Sequence, residues 1–245
     1  MADTPASAPE ISVVVPVFDE EGAAPALARE IAAAFAGRDV EIVFVDDASR
    51  DATRAALLAL KPEIPQLRVL SHHANAGQSR AIRSGVLAAR GAVVVTLDGD
   101  GQNDPADAPR LADRLAAGPP ELALVGGERV KRQDSRAKKV ASRLGNGVRR
   151  RLLNDQAVDT GCGLKAFRRE AFLRLPYFDH IHRYLPALMI REGYEVAFAP
   201  VNHRPRETGR TKYNNLGRLW ASLSDLAGVV WLKSRSRNPG GVDES

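Results

Sequence analysis

The stretch Val93-Val94-Val95-Thr96-Leu97-Asp98-Gly99-Asp100-Gly101-Gln102 decides the fold class. Val93 to Leu97 is short, apolar and rich in β-branched residues, the pattern of a strand buried on both faces. Such a strand delivers two carboxylates and an amide to one loop at the carboxyl edge of a sheet, where open α/β sheets bind ligands. Residues 98, 100 and 102 alternate, so an extended loop lets them converge, and the glycines between them leave room for a ligand or another backbone. Asp98, Asp100 and Gln102 offer only hard oxygen donors, which suit Mg²⁺ or Mn²⁺ and not zinc. A Mg²⁺ ion held by so few protein groups completes its shell with substrate phosphates, which points to a nucleoside diphosphate. The plain structural alternative is an acidic, Gly-rich turn that ends a strand.

Outward from this strand the first half alternates regularly. Strands are expected at 11–17, 41–45, 67–71, 92–97 and 122–125, and helices at 21–36, 51–60, 78–89 and 106–117. Asp104-Pro105 supplies the cap and first turn of the last of these helices. Strands separated by helices of this length specify an α/β fold with a mostly parallel, doubly wound, Rossmann-like sheet flanked by helices. After Gly127 the rhythm changes to a basic helical stretch at 135–153 and a Gly-punctuated segment, Asp159 to Phe167. A short helix, a strand near 195–200 and an amphipathic helix follow. No Pro/Gly/Ser-rich linker divides the halves. The organisation expected is a lead at 1–9, one domain over 10–232 and a disordered tail over 233–245. Within the domain, 10–127 would be the nucleotide-sugar half, 128–213 the acceptor half and 214–232 the amphipathic helix.

The 245 residues, 44% of them hydrophobic, are enough to bury a sizeable core. A single cysteine, Cys162, excludes an internal disulfide framework and fits a reducing compartment. Met1 to Glu10 lacks the basic start and apolar core of a signal peptide. No window has the run of apolar residues that a membrane-spanning helix needs. The net charge of +5 is unevenly placed, with ten basic residues and one acid, Asp134, between Arg129 and Arg151. That local field calls for an anionic partner.

Two further strand ends carry polar residues. The first strand closes in Val15-Pro16-Val17-Phe18-Asp19-Glu20, where Phe18 can stack on a base and Glu20 can accept from a base or ribose. The second closes in Val45-Asp46-Asp47-Ala48-Ser49-Arg50-Asp51. Asp51 or Ser49 caps the helix that follows, and the two preceding acids exceed what capping needs. A carboxylate there can hold a ribose hydroxyl or a base imino group. Neither G-x-G-x-x-G nor a P-loop is present. The five histidines form no metal-ligand spacing, and Cys162 reads as a small packed residue.

Together these segments resemble the inverting, nucleotide-sugar-dependent glycosyltransferases of the GT-A fold, family 2, from about Ile11 to Leu232. The match is closest to the polyprenyl-phosphate branch, which includes dolichyl-phosphate mannose synthases and undecaprenyl-phosphate sugar transferases. The segments specific to that branch are Arg129 after a Gly-Gly strand end, Lys138 to Arg143, Asp159-Thr160-Gly161-Cys162-Gly163, and Arg206 to Tyr213. The resemblance implies that Pro16, Phe18, Glu20, Val45 and Asp47 contact the nucleoside and that Asp98 and Gly99 lie against the nucleotide sugar. It implies that Asp98, Asp100 and Gln102 hold Mg²⁺ or Mn²⁺, and that Arg206 and Lys212 grip the diphosphate. Arg129, Lys138 and Ser142 would receive the lipid phosphate, and Asp100, Arg129 and Lys212 would act at the reacting centre. Phe18, Gly99 and Thr211 stand where the branch more often has Tyr, Ala and Ser.

The partners so implied are a nucleotide-diphospho-sugar, a polyprenyl phosphate, and a membrane surface or membrane protein, with no nucleic acid. The place would be the inner face of the cytoplasmic membrane. A phosphate monoester is largely ionised at neutral pH, so it attacks without a dedicated base, and cations that align it are a use for the basic patch. A transferase acting on a sugar hydroxyl would need a carboxylate base, for which Asp159 is the candidate. A non-catalytic anion-binding module leaves the acidic strand ends unexplained. In the last helix Leu216, Leu219, Trp220, Leu223, Ala227, Val230 and Trp231 share one face, with Lys233, Arg235 and Arg237 beyond it. Such a face can lie in a lipid interface, or pack on the core or on a second subunit in a homodimer.

Overall fold

The structure is a computed structural model that describes residues 8–130, 147, 149, 151–205 and 215–237, with the backbone alone for 215–221. The chain begins β1 (Ile11–Val17), α1 (Ala24–Ala34), β2 (Val40–Asp46), α2 (Thr53–Ala59), β3 (Leu67–Ser71), α3 (Gln78–Ala88) and β4 (Val93–Thr96). A 3₁₀ turn at Pro105–Asp107 leads into α4 (Ala108–Ala116) and β5 (Leu122–Arg129). Then come β6 (Lys165–Arg168), α5 (Arg169–Leu173), a 3₁₀ turn at Ile181–Arg183, α6 (Leu185–Arg191), β7 (Glu195–Val201) and α7 (Asn215–Arg235).

The seven strands run in the order β3-β2-β1-β4-β6-β5-β7. β1 pairs in parallel with β2 on one side and β4 on the other, so the connections diverge at the carboxyl ends of β1 and β4. That divergence is the switch point at which such sheets open a crevice. The two-residue strand period sends side chains alternately to two helical layers. Val13, Val15, Val93 and Val95 pack with Leu27, Ile31, Leu111 and Leu115 on one face. Val14, Val43, Val45 and Val94 pack with Ile82, Val86, Phe167 and Leu188 on the other.

β6 is the element that the sequence pattern missed. Lys165 to Arg168 inserts antiparallel between β4 and β5, with Lys165 opposite both Thr96 and Gly126. Four residues are too few to display a period, and the glycines before them read as loop. Phe167 anchors the strand by stacking on Phe172 at 5.1 Å. The last helix runs past Leu232 to Arg235, into the stretch read as tail.

At the amino edge of the sheet, away from the switch point, Glu41 on β2 is buried. Its Oε1 accepts from Ser12 Oγ and from Arg90 N, each at 2.6 Å, and its Oε2 accepts from Arg68. Ser12 Oγ in turn accepts from Gly91 N at 2.8 Å, which ties the α3–β4 loop to β1. Burial alone would raise the Glu41 carboxyl; the hydrogen bonds from Ser12, Arg90 and Arg68 outweigh it and hold the group below its usual range. A depressed folded value means stability present above the unfolded pKa and lost as pH falls through the folded one. Glu41→Gln is therefore expected to lower unfolding free energy at pH 7 by about 1.5–3 kcal/mol. Urea melts between pH 7 and pH 3 check this, because the gap between wild type and variant should close on the acid side.

Candidate active site

A cleft of 660 Å³ opens at the switch point. One wall is the end of β1 and the loop after β2, with Pro16, Val17, Phe18, Glu20, Asp47 and Arg50. Its middle carries Gln78, Asp98, Gly99 and Asp100, and the far wall is Thr160 to Gly163 with His182 and Arg183. The expected residues Pro16, Phe18, Glu20, Asp47, Asp98, Gly99 and Asp100 thus meet in one space.

Val45 does not join them. It is fully buried on the α3 side of the sheet, 3.0 Å from where a Cβ on Gly85 would stand, because the strand period turns it away from the edge. Asp47 reaches the cleft already engaged. Its Oδ1 accepts from Ala76 N at 2.9 Å and lies 2.7 Å from His72 Nδ1, and its Oδ2 accepts from Gly77 N at 2.8 Å. It thereby fixes the start of α3 as well as lining the nucleoside wall. Asp51 Oδ1 accepts from Thr53 N at 3.0 Å and serves α2, while Ser49 Oγ accepts from Asp19 N at 3.0 Å.

Asp98 is the crowded centre. Gly163 approaches so closely that a Cβ there would stand 2.3 Å from the Asp98 carboxylate atoms. Thr96 Oγ1 donates to Gly163 O at 2.8 Å, which locks β4 to the chain before β6. Gly99 is pressed in the same way, with its virtual Cβ 2.5 Å from Pro16 O. Gln78 Nε2 donates to Asp98 Oδ1 at 2.8 Å, and Asn103 Oδ1 accepts from Asp98 N at 2.9 Å. Desolvation, then the charge of Asp100, raises the Asp98 carboxyl, opposed by Lys165, Gln78 and Arg129.

Two neighbouring carboxylates that repel are a donor set a hard divalent cation neutralises, so the pair fits Mg²⁺ or Mn²⁺. Gln102, the third ligand expected, is not among the residues that line the cleft. Its amide nitrogen faces Arg204 O at 3.5 Å, and its backbone N donates to Asp100 Oδ1 at 3.1 Å. Among the described residues no group of three His, Cys, Asp or Glu side chains gathers as a metal site.

Lys165 and the Arg129–Asp159 pair lie behind the far wall. Lys165 is buried, donates to Cys162 O, and is lowered by burial against the pull of Cys162, Asp98 and Asp159. Arg129, the last residue of β5, donates from Nε to Asp159 Oδ2 at 2.6 Å and from Nη2 to Oδ1 at 2.7 Å. Burial would lower this guanidinium, and Asp159 more than offsets that. Cys162 is a buried thiol raised by burial, as its reading as a packed residue expects. Lys138, Ser142, Arg206 and Lys212 lie outside the described residues, as does most of the basic stretch 135–153. Sequence reasoning passed over Gln78, Lys165, His182 and Arg183. A lysine inside an apolar run after two glycines was the one available signal.

A switch-point sheet with paired carboxylates at its cleft is the arrangement of a nucleotide-sugar transferase fold of the GT-A type. The glucosyl-3-phosphoglycerate synthase of Mycobacterium tuberculosis, solved with Mn²⁺, UDP and glucosyl-3-phosphoglycerate, has a TM-score of 0.68 to this chain. The two are 20% identical, over 95% of this chain and 82% of that one. The chain belongs to glycosyl transferase family 2, whose model matches residues 12–175. It is 32% identical to a dodecaprenyl-phosphate galacturonate synthase of Rhizobium johnstonii, over 96% of this chain and 71% of the relative. It is 37% identical to an undecaprenyl-phosphate 4-deoxy-4-formamido-L-arabinose transferase of Pectobacterium carotovorum, over 84% of this chain and 63% of the relative. The chain therefore spans about two thirds of the length of these relatives.

The closeness of Gly163 to Asp98 gives a direct test. Gly163→Ala should push the carboxylate aside and weaken Mn²⁺ binding, measured by calorimetry, roughly 10- to 100-fold. Gly161→Ala should weaken Mn²⁺ binding much less, because its nearest neighbours are Arg129 Nη2 at 3.2 Å and Asp159 Oδ1 at 3.8 Å and no atom of Asp98 is among them.

Proposed function

We propose that this chain moves a sugar from a nucleotide-diphospho-sugar, GDP-mannose or a UDP-sugar, to a polyprenyl phosphate, with inversion at the anomeric carbon. The observation that carries the reading is the Arg129–Asp159 pair, set behind the far wall of a cleft edged by strand-end carboxylates. A fixed cation next to the reacting end suits an acceptor that arrives as an anion. Asp159 spends both oxygens on one guanidinium, so it is poorly placed to take a proton from a sugar hydroxyl. This favours the phosphate acceptor over the hydroxyl acceptor. The named activities of the relatives, all on polyprenyl phosphates, point the same way.

Phe18 offers an aromatic ring to the base, and the Arg50 guanidinium lies 5.2 Å from the centre of that ring. Glu20 and Asp47 border the same wall, and Asp98 and Asp100 would hold Mg²⁺ or Mn²⁺ against the donor diphosphate. The ion, when bound, supplies positive charge toward the departing nucleoside diphosphate. Asp159 fixes one edge of the Arg129 fork and leaves the other edge to orient the acceptor phosphate. The acceptor oxygen displaces the diphosphate in line, the new C1–O bond forming as the old one breaks. Arg206 and Lys212 on the diphosphate, and Lys138 and Ser142 on the acceptor, belong to the same proposal through the family pattern.

A surface route to the lipid substrate is part of this proposal; no helix among the described residues is long and apolar enough to cross a membrane. Helix α7 is fastened to the body by His180 Nδ1 at 2.8 Å from Asp225 and by Arg191 Nε donating to Leu232 O at 3.2 Å. Val229 is buried, and Leu226, Val230 and Leu232 pack inward with it. Leu223, Ala227 and Trp231 face outward at a four-residue spacing, which splits the single face read from the sequence. Lys233 is also redirected, donating to Leu153 O rather than facing a headgroup layer. Arg235 lies 6.0 Å from the Trp231 ring, a cation beside the apolar stripe. The proposed place is peripheral, on the inner face of the cytoplasmic membrane.

Transfer from a nucleotide sugar to a short polyprenyl phosphate, read as released nucleoside diphosphate, tests the reaction. EDTA should abolish it, Mn²⁺ should restore it, and Asp100→Ala should remain inactive while folded. Arg129→Ala should raise the KM for the lipid phosphate roughly 10- to 100-fold with little change in nucleotide affinity. Equal loss in both would put Arg129 on the donor side.

Co-sedimentation with anionic liposomes tests the membrane route. Leu223→Ser with Trp231→Ser should release the protein without lowering activity on a soluble acceptor. A change in oligomeric state instead would make the stripe a subunit contact.

A further inference from the structure

The 3₁₀ turn Ile181–Arg183 lines the cleft opposite the nucleoside wall, and the reaction as derived so far uses neither of its polar side chains. His182 Nδ1 lies 2.7 Å from Ser79 Oγ, a fully buried hydroxyl in the first turn of α3. Burial first, then the charges of Lys165, Arg183 and His180, keep this imidazole neutral far below the usual histidine range. With one ring nitrogen held by Ser79, the other is the nitrogen left for a ligand. The ring also borders a smaller cavity behind the cleft, shared with Asp98, Gly163 and Lys165, so it stands at the reacting end.

Arg183 lines the same end of the cleft. Among the described residues no carboxylate lies within 4.0 Å of its guanidinium. The neighbouring arginines are matched: Arg50 pairs with Asp19 at 2.8 Å, and Arg129 with Asp159 at 2.6 Å. The donor diphosphate belongs at Asp98 and Asp100, so the group attached beyond it, the sugar, falls between Gly161–Gly163 and this turn.

We propose that Arg183 binds a carboxylate on the transferred sugar while His182 holds a neighbouring hydroxyl, which makes the donor a nucleotide-linked uronic acid. The inference rests on the sugar-transfer reading above and deepens it. A planar guanidinium matches a carboxylate through two parallel hydrogen bonds. Among the described residues that line the cleft, Arg183 is the one cation at this end, with Lys165 buried behind the wall on Cys162 O and Arg129 held by Asp159. One cation beside an uncharged imidazole suits a monoanion better than a phosphate dianion, which draws on several cations. The neutral ring supplies a directed hydrogen bond to a hydroxyl without adding a second charge.

Calorimetry with Mn²⁺ on the full chain separates this inference from the reading beneath it. UDP and GDP are titrated first, and the one that binds selects the series: UDP-galacturonate against UDP-galactose, or GDP-mannuronate against GDP-mannose. The wild type should bind the acidic sugar nucleotide roughly 10- to 100-fold more tightly than its neutral counterpart, the span of one charge-assisted pair. Arg183→Gln should erase the preference and leave affinity for the bare nucleotide unchanged, and Arg183→Lys should restore part of it. His182→Phe should weaken both sugar nucleotides alike. Equal wild-type affinity for acidic and neutral sugars, with the bare nucleotide still bound, overturns the inference and leaves the transfer reading standing. An Arg183→Gln protein that loses the bare nucleotide as well assigns Arg183 to the diphosphate and overturns it too. If neither UDP nor GDP binds, the transfer reading itself falls and this inference with it.

Discussion

The main chain at Gly163 lies against the carboxylate of Asp98, and the cleft is arranged around that contact. It needs a residue without a side chain at 163 and a strand that carries residue 163 back past β4. The insertion of β6 antiparallel between β4 and β5 provides that strand, and the Thr96–Gly163 hydrogen bond sets the spacing. Crowding then gives the site its electrostatics. Asp98 is partly stripped of water beside a second carboxylate, while Lys165 and Gln78 offset the cost without removing it. A carboxylate in that state gains when a hard cation arrives, which is the condition for holding a metal together with a phosphorylated substrate.

The two edges of the sheet are built on opposite principles. At the amino edge, Glu41 is saturated by Ser12, Arg90 and Arg68, and nothing is left over for a ligand. At the carboxyl edge, Asp98 and Asp100 stand as like charges beside the cleft. Three of the five non-glycine residues with positive φ among the described residues, Asp19, Ala48 and His180 at 51, 62 and 63°, flank the cleft or its supporting loops, while Asn154 and Gln156 are not among its lining. Left-handed backbone in non-glycine residues costs on the order of 1–3 kcal/mol each, so the surrounding packing must enforce it. The saturated edge supplies stability, and the strained edge carries function.

Asp159 and Asp47 show how a carboxylate in a site can be a support. Each lies at a strand end or cleft wall, and each is occupied, Asp159 by Arg129 and Asp47 by two backbone amides and His72. Their contribution is to fix the orientation of a cation and of the start of a helix. The distinction matters for mechanism, because the same residue type in the same cleft would otherwise be read as a base.

By itself the sequence determined the alternation of strands and helices, the parallel core of the sheet, and the convergence of Phe18, Glu20, Asp47, Asp98 and Asp100 on one edge. Period, β-branching and the rule that strand ends meet at a switch point are local or topological, so they survive without coordinates. The tertiary structure alone decided what depends on distance between remote segments. It turned Val45 into the core and Gln102 toward Arg204, and it bound Lys233 to Leu153. It split the face of the last helix into an inward and an outward stripe. It also brought a turn at Ile181–Arg183 within 2.7 Å of Ser79 in α3. Contacts between residues a hundred positions apart leave no period or spacing in a single chain, because they are set by how the layers pack.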